Sequence, residues 1–152
     1  MGYKLVDARR KILGRICSRI AKQALLGDSL VIVNAKDAVI SGHPHSIVQF
    51  YLDRQEKHTL SQPKAGPNWP HRPDTMMRRT LRSMLPHNDR GLNALKRIQV
   101  FISDIPSHLK DKYPIDGEFK ILKADGDKIK RNVMSLGDVA MHIGWKHRYG
   151  EA

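Results

Sequence analysis

The sequence predicts an α/β fold, a mostly parallel sheet held between helix layers. Three observations lead there. Between residues 3 and 103, short apolar runs alternate with stretches of helical spacing, as strands joined by helical crossovers do. The run "SLVIVNA" (29–35) is apolar without interruption, which a strand requires when both of its faces are covered. The third is the order strand, helix, strand, strand, helix over residues 3–58, which argues for parallel pairing between helix layers.

Each element has its own justification. "YKLVDA" (3–8) is a short strand. "KILGRICSRIAKQALLG" (11–27) is an amphipathic helix: Ile12, Ile16, Ile20 and Ala24 recur every four residues, and Leu13, Cys17 and Leu25 widen the stripe. Arg15, Arg19 and Lys22 repeat on another face. Gly14 is a poor interior residue, so the first turn is expected near it, and Gly27 supplies the stop. "SLVIVNA" and "DAVISG" (37–42) follow as covered strands, and "HSIVQFYLDRQEKH" (45–58) returns to helical spacing. Residues 61–73 hold four prolines and no period, so they form an ordered or partner-contacting loop.

"RPDTMMRRTLRSMLP" (72–86) is a helix with Met77, Leu81, Met84 and Leu85 in one stripe and Arg78, Arg79 and Arg82 across from it. Pro73 and Pro86 are expected to bound it. "PHNDRG" (86–91) is a loop, "LNALKR" (92–97) a short helical turn and "IQVFIS" (98–103) a buried strand. Residues 110–134 show no period. In "SLGDVAMHIGWKH" (135–147), Leu136, Val139, Ala140 and Ile143 share a helical face, and Ser135 with Asp138 resembles a capping box. The whole reads as one domain over 1–152, with a core of 1–109 and a C-terminal extension of 110–152.

Charge is the informative bulk property. The chain has 152 residues, a formal net charge of +12 and 40% hydrophobic residues, so it is globular and strongly basic. Residues 1–31 hold seven Lys or Arg against two acids, and residues 64–97 hold eight against two, while 32–63 balance at three and three. Two segments therefore carry most of the excess. Within 72–97 there are six Arg and one Lys, and guanidinium is the group that meets phosphate in a fork and stacks on bases. A basic domain of this kind fits a polyanion such as nucleic acid. A membrane surface would want a Lys-rich helix with exposed apolar bulk, whereas these apolar faces are used by the sheet. No run approaches the ~18 apolar residues of a membrane span. The N-terminus is expected to be neither a signal peptide nor, with Val6 where Ser or Thr is needed, a myristoylation site.

Catalytic and metal chemistry find little support. There is no dinucleotide or P-loop glycine pattern. The loop "ISGHPHS" (40–46) sits between strand and helix, where His43 and free N–H groups would meet an RNA phosphate or simply connect the two. His43 and His45 form an H-x-H pair without a third ligand nearby, and His142 and His147 are five apart, not four. Cys17, the one cysteine, excludes an internal disulfide and fits a reducing, cytosolic setting; it is expected to be packed rather than reactive. Trp69 would either stack on a base or anchor its loop.

Several fragments in order resemble the large-ribosomal-subunit protein thirteen family. They are "VDA…LGR" (6–8, 13–15), "VIVNA…AVISG" (31–35, 38–42), "RP…MLP" (72–73, 84–86), "RG…AL" (90–91, 94–95) and "KRIQVF…IP" (96–101, 105–106). The ending "LGDVAMHIGWK" (136–146) and the short connection at Gly27-Asp28 are similar to the archaeal and eukaryotic branch. The resemblance implies a three-layer α/β/α domain with a four-stranded sheet, and no enzymatic activity. It implies binding to large-subunit ribosomal RNA beside neighbouring ribosomal proteins in the cytoplasm, with no cofactor, small-molecule substrate or membrane. Arg15, Arg72, Arg78, Arg82, Arg90 and Lys146 fall where the family presents RNA-facing basic residues. Ser83 departs from the glycine usual before Met-Leu-Pro, and the loop 86–91 is one residue short.

The expected RNA-facing set adds, from the basic segments and their loops, Arg10, Arg19, His43, Lys64, Arg79, His87 and Arg97. Two other readings are carried beside this one: an RNA-acting enzyme that uses the histidines, and a basic DNA-compacting protein.

Overall fold

Strand β1 (Tyr3–Asp7) is the pivot of the architecture. The computed structural model describes residues 2–62, 64, 66–118 and 132–146. After β1 come α1 (Leu13–Leu25), β2 (Leu30–Val33), a 3₁₀ turn at Ala35–Asp37, β3 (Val39–Ser41) and α2 (Pro44–Gln55). Then follow α3 (Pro73–Met84), α4 (Asp89–Lys96), β4 (Ile98–Val100), a 3₁₀ turn at Ser107–Leu109, β5 (Ile115–Glu118), β6 (Val133–Ser135) and α5 (Leu136–His142).

Among the described residues, four strands form a parallel sheet in the order β4-β2-β1-β5. Val6 stands opposite Ile32, and Ile32 opposite Val100. All four residues of β2 are buried, and the reason is that both faces of the sheet are covered. On one face Val6, Leu30, Ile32 and Ile98 pack under α1, α3, α4 and α5, in a core that includes Ile16, Ile20, Met77, Leu81 and Leu136. On the other, Val31, Val33, Tyr3 and Leu5 meet Phe101, Ile105, Leu109 and Tyr113. That second layer is the 3₁₀ turn and the chain leading into β5. Edge-on ring contacts at 5.2 Å (Tyr3–Tyr113) and 5.7 Å (Phe101–Tyr113) hold it.

The expected elements are present, with informative differences. "DAVISG" does not join the main sheet. Asn34 adopts a left-handed backbone (φ 57°) and the 3₁₀ turn swings the chain aside. β3 therefore pairs antiparallel with β6 instead, and its residues are half-buried or exposed rather than covered on both faces. The fourth strand of the sheet is β5, from a segment without periodicity. It is held by backbone pairing to β1 across a register shift, and Ile115 is largely exposed.

α4 begins at Asp89 rather than Leu92, because the Asn88 side chain accepts from the Gly91 N–H at 3.0 Å and caps the helix three residues early. α1 starts at Leu13, one residue from Gly14, and ends as Gly27 requires. Gly27 (φ 110°) donates to Ala24, and Asp28 donates to Gln23, which is the Schellman pattern. At α5 the Ser135 hydroxyl receives the Asp138 N–H at 3.0 Å and donates to its own carboxylate partner, Asp138 Oδ2, at 2.6 Å. Leu136, Val139, Ala140 and Ile143 all enter the core. His147 and residues 119–131 lie outside the described residues.

Candidate nucleic-acid interface

The candidate interface is built on α3. Pro73 opens the helix with its fixed φ, preceded by Arg72 in extended conformation, and Leu85 before Pro86 is extended again and ends it. Met76, Met77, Leu81 and Leu85 are buried, each stabilising the docked helix by about 1.5–3 kcal/mol. Met76 takes the place expected of Met84, which is 40% exposed beyond the last buried turn. The polar face is thereby fixed in direction by the core beneath it.

The three arginines of that face have different surroundings. Arg78 is half-buried, and its Nη1 donates to the carbonyl of Ile98 in β4 over a long 3.3 Å. The Arg79 guanidinium lies 3.8 Å from the Trp69 ring centre and donates to the Asn68 carbonyl at 2.9 Å. Arg82 is exposed, and its guanidinium has no hydrogen-bond or ion-pair partner among the described residues. An open groove of about 620 Å³ brings all three together with His87, Asn68 and Leu95. It is concave, positive and partly apolar, which suits a sugar–phosphate strand.

The remaining expected residues are placed variously. Arg15 and Arg19 are exposed on α1, which packs beside α3 on the same sheet face, and neither has a side-chain partner among the described residues. Arg90 is likewise exposed and unpaired on α4. Arg72 forms an ion pair with Asp74 at 3.1 Å, and Arg97 donates to the Ala24 carbonyl at the end of α1 at 3.4 Å. Arg10 sits in a left-handed turn (φ 53°) with its N–H on the Asp37 carbonyl. His43 is the residue before α2, and Lys64 and Lys146 are exposed on other segments; none of these three lines the groove.

Trp69 anchors its loop. Its ring already carries Arg79 and, at 4.8 Å, Arg54. Arg54 was not legible from charge, because residues 32–63 balance to zero. Its signal is Phe50 one helical turn earlier, whose ring it covers at 4.0 Å. His71 ties the same loop to the end of α5 through the Ile143 carbonyl at 2.8 Å. Burial pushes the Cys17 thiol up to about 12, so at neutral pH it is a packed, unionised side chain. Burial likewise raises the Tyr51 phenol, against the lowering effect of Arg54. Among the described residues no three His, Cys, Asp or Glu side chains converge on a possible metal site, and no helix is long and apolar enough to cross a membrane.

Comparison with known proteins supplies the remaining finding. Residues 2–106 match the family model described as ribosomal protein L13. The chain is 35% identical over 144 residues to the large ribosomal subunit protein uL13 of Methanocaldococcus jannaschii, covering 93% of this chain and 98% of that protein. It is 36% identical over 147 residues to the uL13 of Methanosarcina barkeri, with the same coverage. Against the uL13 of Haloarcula marismortui the identity is 34% over 145 residues, 92% of this chain and 90% of that one. A family match over more than half the length, together with relatives a third identical almost end to end, makes this chain a member of the ribosomal protein L13 family, of the archaeal type.

Proposed function

We propose that this protein is a non-catalytic, structural constituent of the large ribosomal subunit in the cytoplasm. In this reading it binds large-subunit ribosomal RNA and supports folding of that RNA during assembly, beside neighbouring subunit proteins. The observation that carries the reading is the α3 groove, where Arg78, Arg79 and Arg82 converge with His87 over a helix pinned by its buried stripe. Arg15 and Arg19 on the adjoining helix extend the positive surface. Phosphate contacts fix orientation, and rigid docking of the helices makes that orientation specific to one RNA shape.

The test is the salt dependence of binding to purified large-subunit RNA. Six neutralised phosphates give a slope of log K against log salt of roughly −4 to −5. An affinity that barely changes with salt would sink the reading. So would failure to co-sediment with large subunits in a gradient at moderate salt.

A further inference from the structure

Beside the basic groove, between α2, α3 and the proline-rich loop, lies a second cavity of about 220 Å³. Tyr51, Arg54, Gln55, Trp69, Met76 and Arg79 are among its walls. It is smaller than the roughly 300–1,000 Å³ of a drug-sized ligand pocket, so it takes one ring system and no more. Two of its groups without a polar partner among the described residues are donors. The half-buried Arg54 guanidinium is held only by the Phe50 and Trp69 rings, and it has no hydrogen-bond or ion-pair partner among the described residues. The neighbouring Asp53 carboxylate is taken by the Gln49 amide at 2.6 Å. The Trp69 Nε1–H is buried and also lacks an acceptor among the described residues. Arg79 and Ser83 line both this cavity and the basic groove, so the two adjoin.

We propose that this cavity takes one unstacked base from an RNA strand whose phosphates lie along the α3 groove, with guanine preferred. The inference rests on the RNA-binding reading and adds to it a base-reading site. Aromatic and guanidinium faces stack any base. Preference comes from the edge: guanine offers O6 and N7 together as acceptors to a guanidinium fork, whereas adenine pairs its N7 with an amino donor. Arg54 supplies the fork, Tyr51 and Met76 the apolar wall, and the indole N–H a further donor once the loop eases outward.

Trp145→Phe leaves Trp69 as the lone tryptophan of the two, so its emission reports on the cavity. The probes are short oligo-uridine single strands that differ at one central position: guanosine, adenosine or an abasic sugar. The guanosine strand is expected to quench Trp69 and to bind about tenfold tighter than the abasic one, within what stacking of one base supplies. Arg54→Ala brings the guanosine strand down to the adenosine affinity, with both still above the abasic one, and Arg54→Lys, which keeps the charge without the fork, likewise loses the preference for guanine. Equal affinity of all three strands with unchanged Trp69 emission would overturn the base site while leaving salt-dependent RNA binding standing. Absence of binding to these strands and to ribosomal RNA alike would remove the underlying reading as well.

Discussion

The guanidinium of Arg79 rests 3.8 Å from the Trp69 ring centre and donates to the carbonyl of Asn68 beside it. One cation therefore fastens the proline-rich loop to α3. Trp69→Ala is expected to lower stability by about 1–2 kcal/mol, the sum of a partly desolvated cation–π contact and lost ring burial. Urea unfolding followed by circular dichroism checks it. A variant as stable as the parent would mean that the loop is held elsewhere.

Arg82 and Arg78 separate charge from scaffolding. Each replaced by Ala should flatten the salt slope of RNA binding by about one, and both together by about two. Only Arg78→Ala should also cost stability, about 0.5–1.5 kcal/mol, because its guanidinium serves the Ile98 carbonyl and Arg82 serves nothing in the described chain. Unchanged RNA binding in the double variant would take α3 out of the interface.

Two glycines should respond in opposite directions. A Cβ on Gly91 would stand 1.9 Å from the Pro86 carbonyl oxygen, a backbone atom that cannot step aside. Gly91→Ala is expected to destabilise by about 2–4 kcal/mol through displacement of the capped start of α4. Gly14, exposed in the first turn of α1 with nothing within 4 Å, should gain about 0.5 kcal/mol on becoming Ala. Thermal melts of the two variants against the parent give both signs.

Cys17 makes stability depend on pH in the alkaline range. Its thiol is pushed up to about 12 by burial, from an ordinary value of 9.0. Above pH 9 the unfolded chain releases this proton while the folded chain keeps it. The thiol's contribution is therefore complete below about 9 and is lost as pH rises toward about 12, by up to ~1.4 kcal/mol per pH unit. Cys17→Ala should be less stable at pH 7 through the cavity it leaves, yet show a shallower decline between pH 9 and 11. Parallel declines in urea midpoint would refute the assignment. Iodoacetamide should label the native thiol at pH 8 only as fast as the chain opens.

Local patterning made much of the fold legible. The four-residue repeat of Ile12, Ile16, Ile20 and Ala24 fixed α1, and the prolines at 73 and 86 framed α3, because helix period and backbone restriction act within one element. β5 was hidden because "IDGE" (115–118) has no strand composition; it is a strand only because β1 offers it a backbone ladder. β3 had the right composition but the wrong destination, since the turn at Asn34 decides its path. The arginines of the groove were visible as charge, but their division into bound and unbound was not. Asn68 and Trp69 meet Arg79, and Arg54 meets Trp69, from separate parts of the chain, and no local spacing records those meetings.

The central place of β1 orders events in time. Its partner on one side, β2, is joined to it by a single helix, and β4 completes that flank by residue 100. Its partner on the other side is synthesised only at residues 115–118. A chain emerging from its N-terminus can thus assemble three strands and their helices early, but one edge of β1 stays open until the long loop closes. During that interval the unsatisfied backbone of β1 is a template for any stray strand, so timely arrival of β5 guards against misassembly.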